Sequence, residues 1–116
     1  MFAWLPIIGI GVVVFTAYEA WCLLRVYDEA EVFNNAGLDK VGHCYAVCRA
    51  IRGCKLPADT ALWWANWVEN RWPSIDWKDD ELAHLYGSGC AVDKACQSQD
   101  CEQCCRATAG TYLPNY

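Results

Sequence analysis

The chain has 116 residues, a formal net charge of −5 and a pI near 4.8. This acidic balance argues against nucleic acid as a partner, which needs Lys and Arg to replace its counterions, and against docking on anionic lipid by charge alone. A chain of this length forms one small domain at most, and a core of that size commonly needs disulfides or a metal to hold it.

The N-terminus is strongly apolar. Residues 2–18 carry no charge, Glu19 interrupts, and the apolar run then continues to Leu24. A helix of about 23 residues is long enough to cross the ~30 Å hydrocarbon layer of a bilayer. We therefore predict a membrane-inserting helix within residues 1–33, and the alternative is a buried core helix. The residues assigned to the segment are Phe2, Trp4, Pro6, Gly9, Gly11, Phe15, Tyr18 and Trp21.

The rest of the sequence reads as a second unit, 34–116, made of short helices. Capping and stop residues predict helices over 40–52, 60–72, 77–86 and 100–109. The candidate caps are Asp39 for the first, Asp59 or Thr60 for the second and Ser74 or Asp76 for the third, and the candidate stops are Gly53, Pro73 and Gly87. The tail from Gly110 onward is expected to be loose. No useful strand-like alternation occurs, so the predicted fold is all-α: a hydrophobic helix followed by a small disulfide-stapled helical domain.

The nine cysteines indicate in which compartment the domain lies. Eight lie in the second unit, which fits four disulfides and an oxidising location. Cys22 is then expected to be a free thiol in the membrane segment. Arg25 favours a cytoplasmic domain by the positive-inside rule, but disulfides would not persist there, so we expect an extracytoplasmic domain. The eight cysteines assigned to disulfides are Cys44, Cys48, Cys54, Cys90, Cys96, Cys101, Cys104 and Cys105.

Two of these bridges follow from spacing. Cys44 and Cys48 share one helix face, as do Cys101 and Cys105. Packed antiparallel, the two helices would pair Cys44 with Cys105 and Cys48 with Cys101. The order of the other two bridges stays open.

Zinc is the alternative use of the cysteines. Cys101 and Cys104 have C-x2-C spacing, and His43 and His84 are candidate fellow ligands. A second C-x2-C at matching distance is absent and Cys105 adjoins Cys104, which favours disulfides. We therefore expect no cofactor.

No catalytic set is predicted. His43 lies beside Cys44 with Asp39 one turn back, but helix neighbours point about 100° apart, so His43 is poorly placed to activate the thiol. A half-buried structural histidine is the simpler interpretation. His84, with the carboxylates at 79–81, is read as a solvated helix face.

Seven tryptophans are a large excess, and several follow one another in the third helix. They predict either the apolar mass of the core or a helix that lies on a membrane, where amphipathic rings are favoured. The residues assigned to a possible membrane interface are Trp63, Trp64 and Trp67.

Several stretches carry a resemblance: D-K-V-G-H-C-Y-A-V-C-R, D-D-E-L-A, G-S-G-C-A and C-E-Q-C-C-R. Over about residues 34–106 the chain resembles a cysteine-rich module of the C-terminal regions of Rhs-type bacterial polymorphic toxins. The resemblance implies a secreted or contact-dependent bacterial effector, such as one delivered by type VI secretion, with a cognate immunity protein as a partner.

The expected function is an effector-type domain that inserts its N-terminal helix into a target membrane and permeabilises it, with the lipid membrane and further copies of the chain as partners. The first alternative is a single-pass accessory or structural subunit with a disulfide-stabilised extracytoplasmic domain. The second is a hydrolase or a zinc-binding toxin domain.

Overall fold

The structure, a computed structural model, describes residues 5–114, with side chains from 17 to 114. Its described residues form helices and no strand, as predicted. The helices are α1 (Leu5–Asn35), α2 (Asp39–Arg52), α3 (Ala58–Arg71), α4 (Trp77–Val92), a 3-10 turn (Lys94–Cys96), α5 (Cys101–Ala107) and α6 (Ala109–Tyr112).

The end of α1 folds back against α2. Leu23, Val26, Ala30 and Phe33 are buried at the three- and four-residue spacing of one helix face. The connection between the helices is short, and Gly37 adopts a φ of +77°, a conformation that glycine accepts without steric cost. This part of α1 therefore belongs to the core.

The N-terminal part of α1 carries the predicted membrane segment. Two residues of this segment, Phe2 and Trp4, lie outside the described residues. Only the backbone is described for Pro6, Gly9, Gly11 and Phe15. Tyr18 and Trp21 are described with their side chains, and both are exposed. Within the described part of the chain, no helix combines the length and the apolar character needed to cross a bilayer.

Helix α2 lies at the centre and contacts α1, α3, α4, α5 and α6. Its closest approach is to α4, at Gly87. A Cβ there would collide with the Cys44 carbonyl oxygen and would lie 2.9 Å from the Val47 Cβ. The prediction that Gly87 ends its helix is therefore wrong: α4 continues to Val92, and the glycine is needed for close packing.

Four disulfides join the helices. Cys44 pairs with Cys105 and Cys48 with Cys101, the two pairings that the spacing predicts. Cys90 pairs with Cys104.

The fourth bridge corrects the prediction. Cys22 is not a free thiol but bonds to Cys54, and Cys96 is the free cysteine of the described residues. Because α1 and α2 form an antiparallel hairpin, Cys22 lies beside the end of α2, where Cys54 follows. Cys96 lies in the 3-10 turn, and its Sγ is 2.9 Å from the Sγ of Cys104, which is already bonded to Cys90.

The C-terminal segment is more ordered than expected. Asp100 caps α5 by accepting from the Gln103 backbone N–H, and the Gln103 side chain accepts from the Asp100 backbone N–H. The expectation of a loose tail from Gly110 is wrong as far as Tyr112, because α6 covers those residues next to the fully buried Ala109.

Candidate functional site

Helix α3 presents an aromatic surface, defined by Trp63, Trp64, Trp67 and Trp72. Trp63 stacks on Trp64 at a centroid distance of 5.8 Å, and Trp64 is 5.3 Å from Trp67. Trp72 meets Trp67 edge to face at 6.4 Å. Trp64 is half-buried against the core, whereas Trp63 and Trp72 are 61% and 70% exposed. The structure thus brings the predicted interface residues together on the outside of the domain.

The face of α3 that packs against the core carries two alanines, so the tryptophans lie on its other faces. The buried positions of α3 are Ala61, Ala65 and Glu69, so this helix contributes little apolar mass to the core. The connection to α4 extends the exposed apolar area, because Ile75 is 97% exposed.

A second arrangement lies between the starts of α2 and α4. We name it the ion cluster and define it as Asp39, Lys40, His43, Asp76 and Asp80. Lys40 is fully buried, and its Nζ donates to Asp39 Oδ2 at 2.7 Å, to Asp80 Oδ1 at 2.6 Å and to Asp76. One ammonium therefore serves three carboxylates, of which Asp80 is buried and Asp39 and Asp76 are half-buried.

The predicted caps of these helices serve the ion cluster. Asp39 lies inside α2 rather than before it, and Asp76, which precedes α4, makes no side-chain capping bond. Both carboxylates accept from Lys40 instead, which favours their ionised forms. Burial alone would raise the pKa of Asp76, but the hydrogen bond and the charge of Lys40 outweigh this effect and lower it.

His43 of the ion cluster contacts His84 of α4, which in turn contacts Asn66 of α3. His84 is 3% exposed, and its Nδ1 lies 2.8 Å from Asn66 Oδ1, while His84 Nε2 lies 2.8 Å from His43 Nδ1. An amide oxygen only accepts, so His84 carries its proton on Nδ1 and its Nε2 accepts from His43 Nδ1–H. His43 is held in one orientation, with Nε2 facing outward.

The outward nitrogen of His43 meets two carboxylates. Its Nε2 lies 3.5 Å from Asp39 Oδ1 and 3.4 Å from Asp80 Oδ1. Burial lowers the pKa of His43, but the hydrogen bond to Asp39 and the charge of Asp80 outweigh this effect, so the pKa is raised. Burial and the charge of His43 lower the pKa of His84 to about 3, so His84 stays neutral at physiological pH.

One carboxylate of α3, that of Glu69, also lies beside the ion cluster. Ser74 Oγ lies 2.7 Å from Glu69 Oε1 and 2.7 Å from Asp80 Oδ2, so the hydroxyl joins two acidic side chains. Burial raises the pKa of Glu69, which reduces the repulsion between these groups.

A cleft of about 310 Å³ opens over the ion cluster, between α1 and α2. Asp39 and His43 of α2 line the cleft on one side. Asp28 and Glu31 of α1 line it on the other and add two more carboxylates. Of the histidines, His43 is the accessible one, with 27% of its side chain exposed.

The sequence interpretation of this region needs two corrections. His84 and Asp80 do not form a solvated face, because they are 3% and 1% exposed. The C-x2-C zinc arrangement is not formed, because Cys101 and Cys104 are both in disulfides. A signal was available in the spacing, since α2 and α4 each carry an aspartate four residues before a histidine.

No family model, no curated protein and no solved structure matches this chain. The resemblance to the Rhs-type toxin module therefore stays a prediction, and the functional argument depends on the two arrangements described above.

Proposed function

We propose that this chain is a toxin-type module that lies on a membrane by its aromatic surface and inserts residues 2–18 to make the membrane leaky. The observation that carries the proposal is the exposure of Trp63 and Trp72 beside the almost fully exposed Ile75. Indole rings with one polar edge are favoured at the boundary between lipid headgroups and hydrocarbon.

The charges around the aromatic surface support a lipid partner. The Arg71 guanidinium lies 5.8 Å from the Trp67 ring, and Lys78 Nζ lies 5.5 Å from the Trp77 ring. These cations can reach lipid phosphates while the rings enter the interface. Because the whole chain is acidic, adsorption depends on the aromatic rings, and a zwitterionic bilayer is the expected surface.

The length of α1 supports the insertion step. Its 31 residues span about 46 Å at 1.5 Å per residue, whereas the 14 residues of α2 span about 21 Å. The Cys22–Cys54 bridge ties α1 to the end of α2. Residues 5–21 of α1 therefore extend beyond α2, where they can meet lipid.

Dye release from phosphatidylcholine vesicles tests the proposal. The wild-type chain should bind the vesicles and release the dye, and the double variant Trp63→Ser/Trp72→Ser should lower binding at least tenfold. Leu85→Gln, which removes a 56% exposed apolar side chain from α4, is the matched control and should behave as wild type. Equal release by the wild type and the tryptophan variant, or no release at all, contradicts the proposal.

A second test is made in living bacteria. Directed to the periplasm or the cytoplasm, the chain should collapse the membrane potential from at least one side. Normal growth with an unchanged potential from both sides contradicts permeabilisation.

An accessory or structural subunit is the second candidate, favoured by an apolar cleft of about 410 Å³ along α4. Leu82, Leu85 and Tyr86 line it, and Leu82 and Leu85 are exposed in the isolated chain. A harmless complex recovered from the membrane, and lost with Leu85→Gln, would favour this candidate over permeabilisation.

A further inference from the structure

We propose that Asp39, His43 and Asp80 bind a divalent transition-metal ion such as Zn²⁺, with an open coordination position that faces the cleft between α1 and α2. The aromatic surface and residues 2–18 play no part in this site, so it stands or falls independently of the proposed membrane activity.

The ligand atoms have the separations that a small ion requires. Zn²⁺ binds nitrogen and oxygen at about 2.0–2.2 Å, so neighbouring ligands of a tetrahedral site lie about 3.4 Å apart. His43 Nε2 lies 3.5 Å from Asp39 Oδ1 and 3.4 Å from Asp80 Oδ1. The three ligand atoms together fall within 4.8 Å of one another.

The imidazole is fixed in the orientation that metal binding needs. His43 Nδ1–H donates to His84 Nε2, and His84 Nδ1–H in turn donates to Asn66 Oδ1. A metal-bound histidine usually donates its second ring N–H to an acceptor in this way, which selects the tautomer whose other nitrogen carries the lone pair. Here the acceptor is itself a buried histidine held by α3.

The charge of the region is the second argument for a cation. Asp39, Asp76 and Asp80 share the single ammonium of Lys40, and Asp28 and Glu31 add negative charge to the cleft wall. Asp80 is buried and Asp39 and Asp76 are half-buried, and neighbouring carboxylates in excess of their counter-charges repel one another unless a proton or a metal ion lies between them. Lys40 still donates to Asp76 and to Asp80 Oδ1, the same oxygen that the ion would share, so an ion at His43 replaces the proton of the imidazole rather than the ammonium.

The number of ligands defines the kind of site. Three protein ligands leave a fourth position for water, as in catalytic zinc sites, whereas structural zinc sites use four protein ligands. Two of the three ligand residues, Asp39 and His43, line a cleft of about 310 Å³, from which the proposed fourth position would be reached. Mixed imidazole and carboxylate ligands suit Zn²⁺ better than Mg²⁺, which requires oxygen ligands.

The test is a titration of the oxidised protein with Zn²⁺, and with Co²⁺ for its absorption spectrum, at pH 7. Cys96 is first changed to Ser, because a free thiol beside Cys104 is the competing ligand among the described residues. We expect one ion per chain, a cobalt spectrum without thiolate bands, and at least tenfold weaker binding of Mg²⁺.

The variants keep this test decisive. His43→Ala should lower Zn²⁺ affinity at least 100-fold and Asp39→Asn at least tenfold, whereas the matched control Asp93→Asn, an exposed carboxylate outside the ion cluster, should bind as Cys96→Ser does. Circular dichroism and intact mass with four disulfides check that each variant is folded. Equal binding by His43→Ala and its parent, or no binding of Zn²⁺ by the parent, overturns the proposal.

Discussion

Helix α2 is held to its neighbours in two different ways. Along one face, Cys44 and Cys48 bond covalently to α5. At its start, Lys40 and His43 are held to α4 by charges and hydrogen bonds alone. The covalent region keeps its geometry at any proton or cation concentration, whereas the geometry of the ion cluster depends on both. We therefore expect changes in pH and in cation concentration to affect the packing of α2 at its first turns rather than at its disulfides.

The largest expected effect comes from removing the covalent region. The Cys44–Cys105 and Cys48–Cys101 bridges close loops of 61 and 53 residues, and the chain-entropy model assigns about 4 kcal/mol to each loop. Changing all four cysteines to Ser should leave the domain unfolded at 37 °C, as read by circular dichroism.

Cys96→Ser is the control for this experiment, because Cys96 closes no loop. Its free energy of unfolding should stay within about 0.5 kcal/mol of the wild-type value. A folded quadruple variant, or an unstable Cys96→Ser, would show that the stability of α2 does not come from these two bridges.

Acid should weaken the contact that His84 of α4 makes with α2 and leave the bridges intact. Because the pKa of His84 is about 3 in the folded chain and about 6.5 when unfolded, the unfolded state binds more protons between these values, and stability falls as pH falls from 6.5 towards 3. The slope from this group is at most about 1.4 kcal/mol per pH unit. The raised pKa of His43 has the opposite effect on stability. The stabilisation that protonated His43 provides is complete below pH 6.5 and is lost as the pH rises through the pKa of His43 in the folded chain.

Urea unfolding at pH 6.5 and pH 4.5, with a chelator present, measures this effect. His84→Asn removes the titrating group and keeps an amide that can accept from His43. The variant should lose less stability than the wild type between the two pH values. Parallel losses in the two proteins would mean that His84 does not stay neutral in the folded chain.

The smallest expected effect separates two glycines of α4. Gly87→Ala should cost about 1–3 kcal/mol, because the new Cβ has to push α4 away from the Cys44 carbonyl. Gly89→Ala is the matched control: nothing lies within 4 Å of its Cβ, so the helix should gain about 0.5–1 kcal/mol. Thermal unfolding of the two variants measures both values, and similar shifts would contradict the close approach of α2 and α4.

Sequence reasoning succeeded where a local pattern determines the structure. The four-residue spacing of Cys44 and Cys48, repeated in Cys101 and Cys105, was enough to predict both pairings between the two helices. The predicted bounds of α2 and α3 agree with the structure to within two residues at each end, although neither Asp39 nor Asp76 caps its helix with its side chain. Gly87 misled because its missing side chain serves packing between helices, which no single helix pattern reveals.

The matching Asp–His spacing of α2 and α4 does not show that the two pairs meet, because the ion cluster depends on the alignment of two helices that lie about 40 residues apart in the chain. Lys40, Asp76 and Asp80 look like ordinary surface charges in the sequence. The apolar run predicts a membrane segment separate from the domain, and this prediction wrongly places Cys22 in the membrane as a free thiol. The short α1–α2 connection, which makes the two helices antiparallel neighbours, would have placed Cys22 beside Cys54.

The position of Cys96 has a consequence for how the chain matures. Its Sγ lies 2.9 Å from the Sγ of Cys104. A Cys96 thiolate can attack Cys104, form a Cys96–Cys104 bond and release Cys90 as the thiolate. The exchange conserves the number of bridges, so the two covalent isomers have the same mass, and only peptide mapping would tell which one a preparation contains.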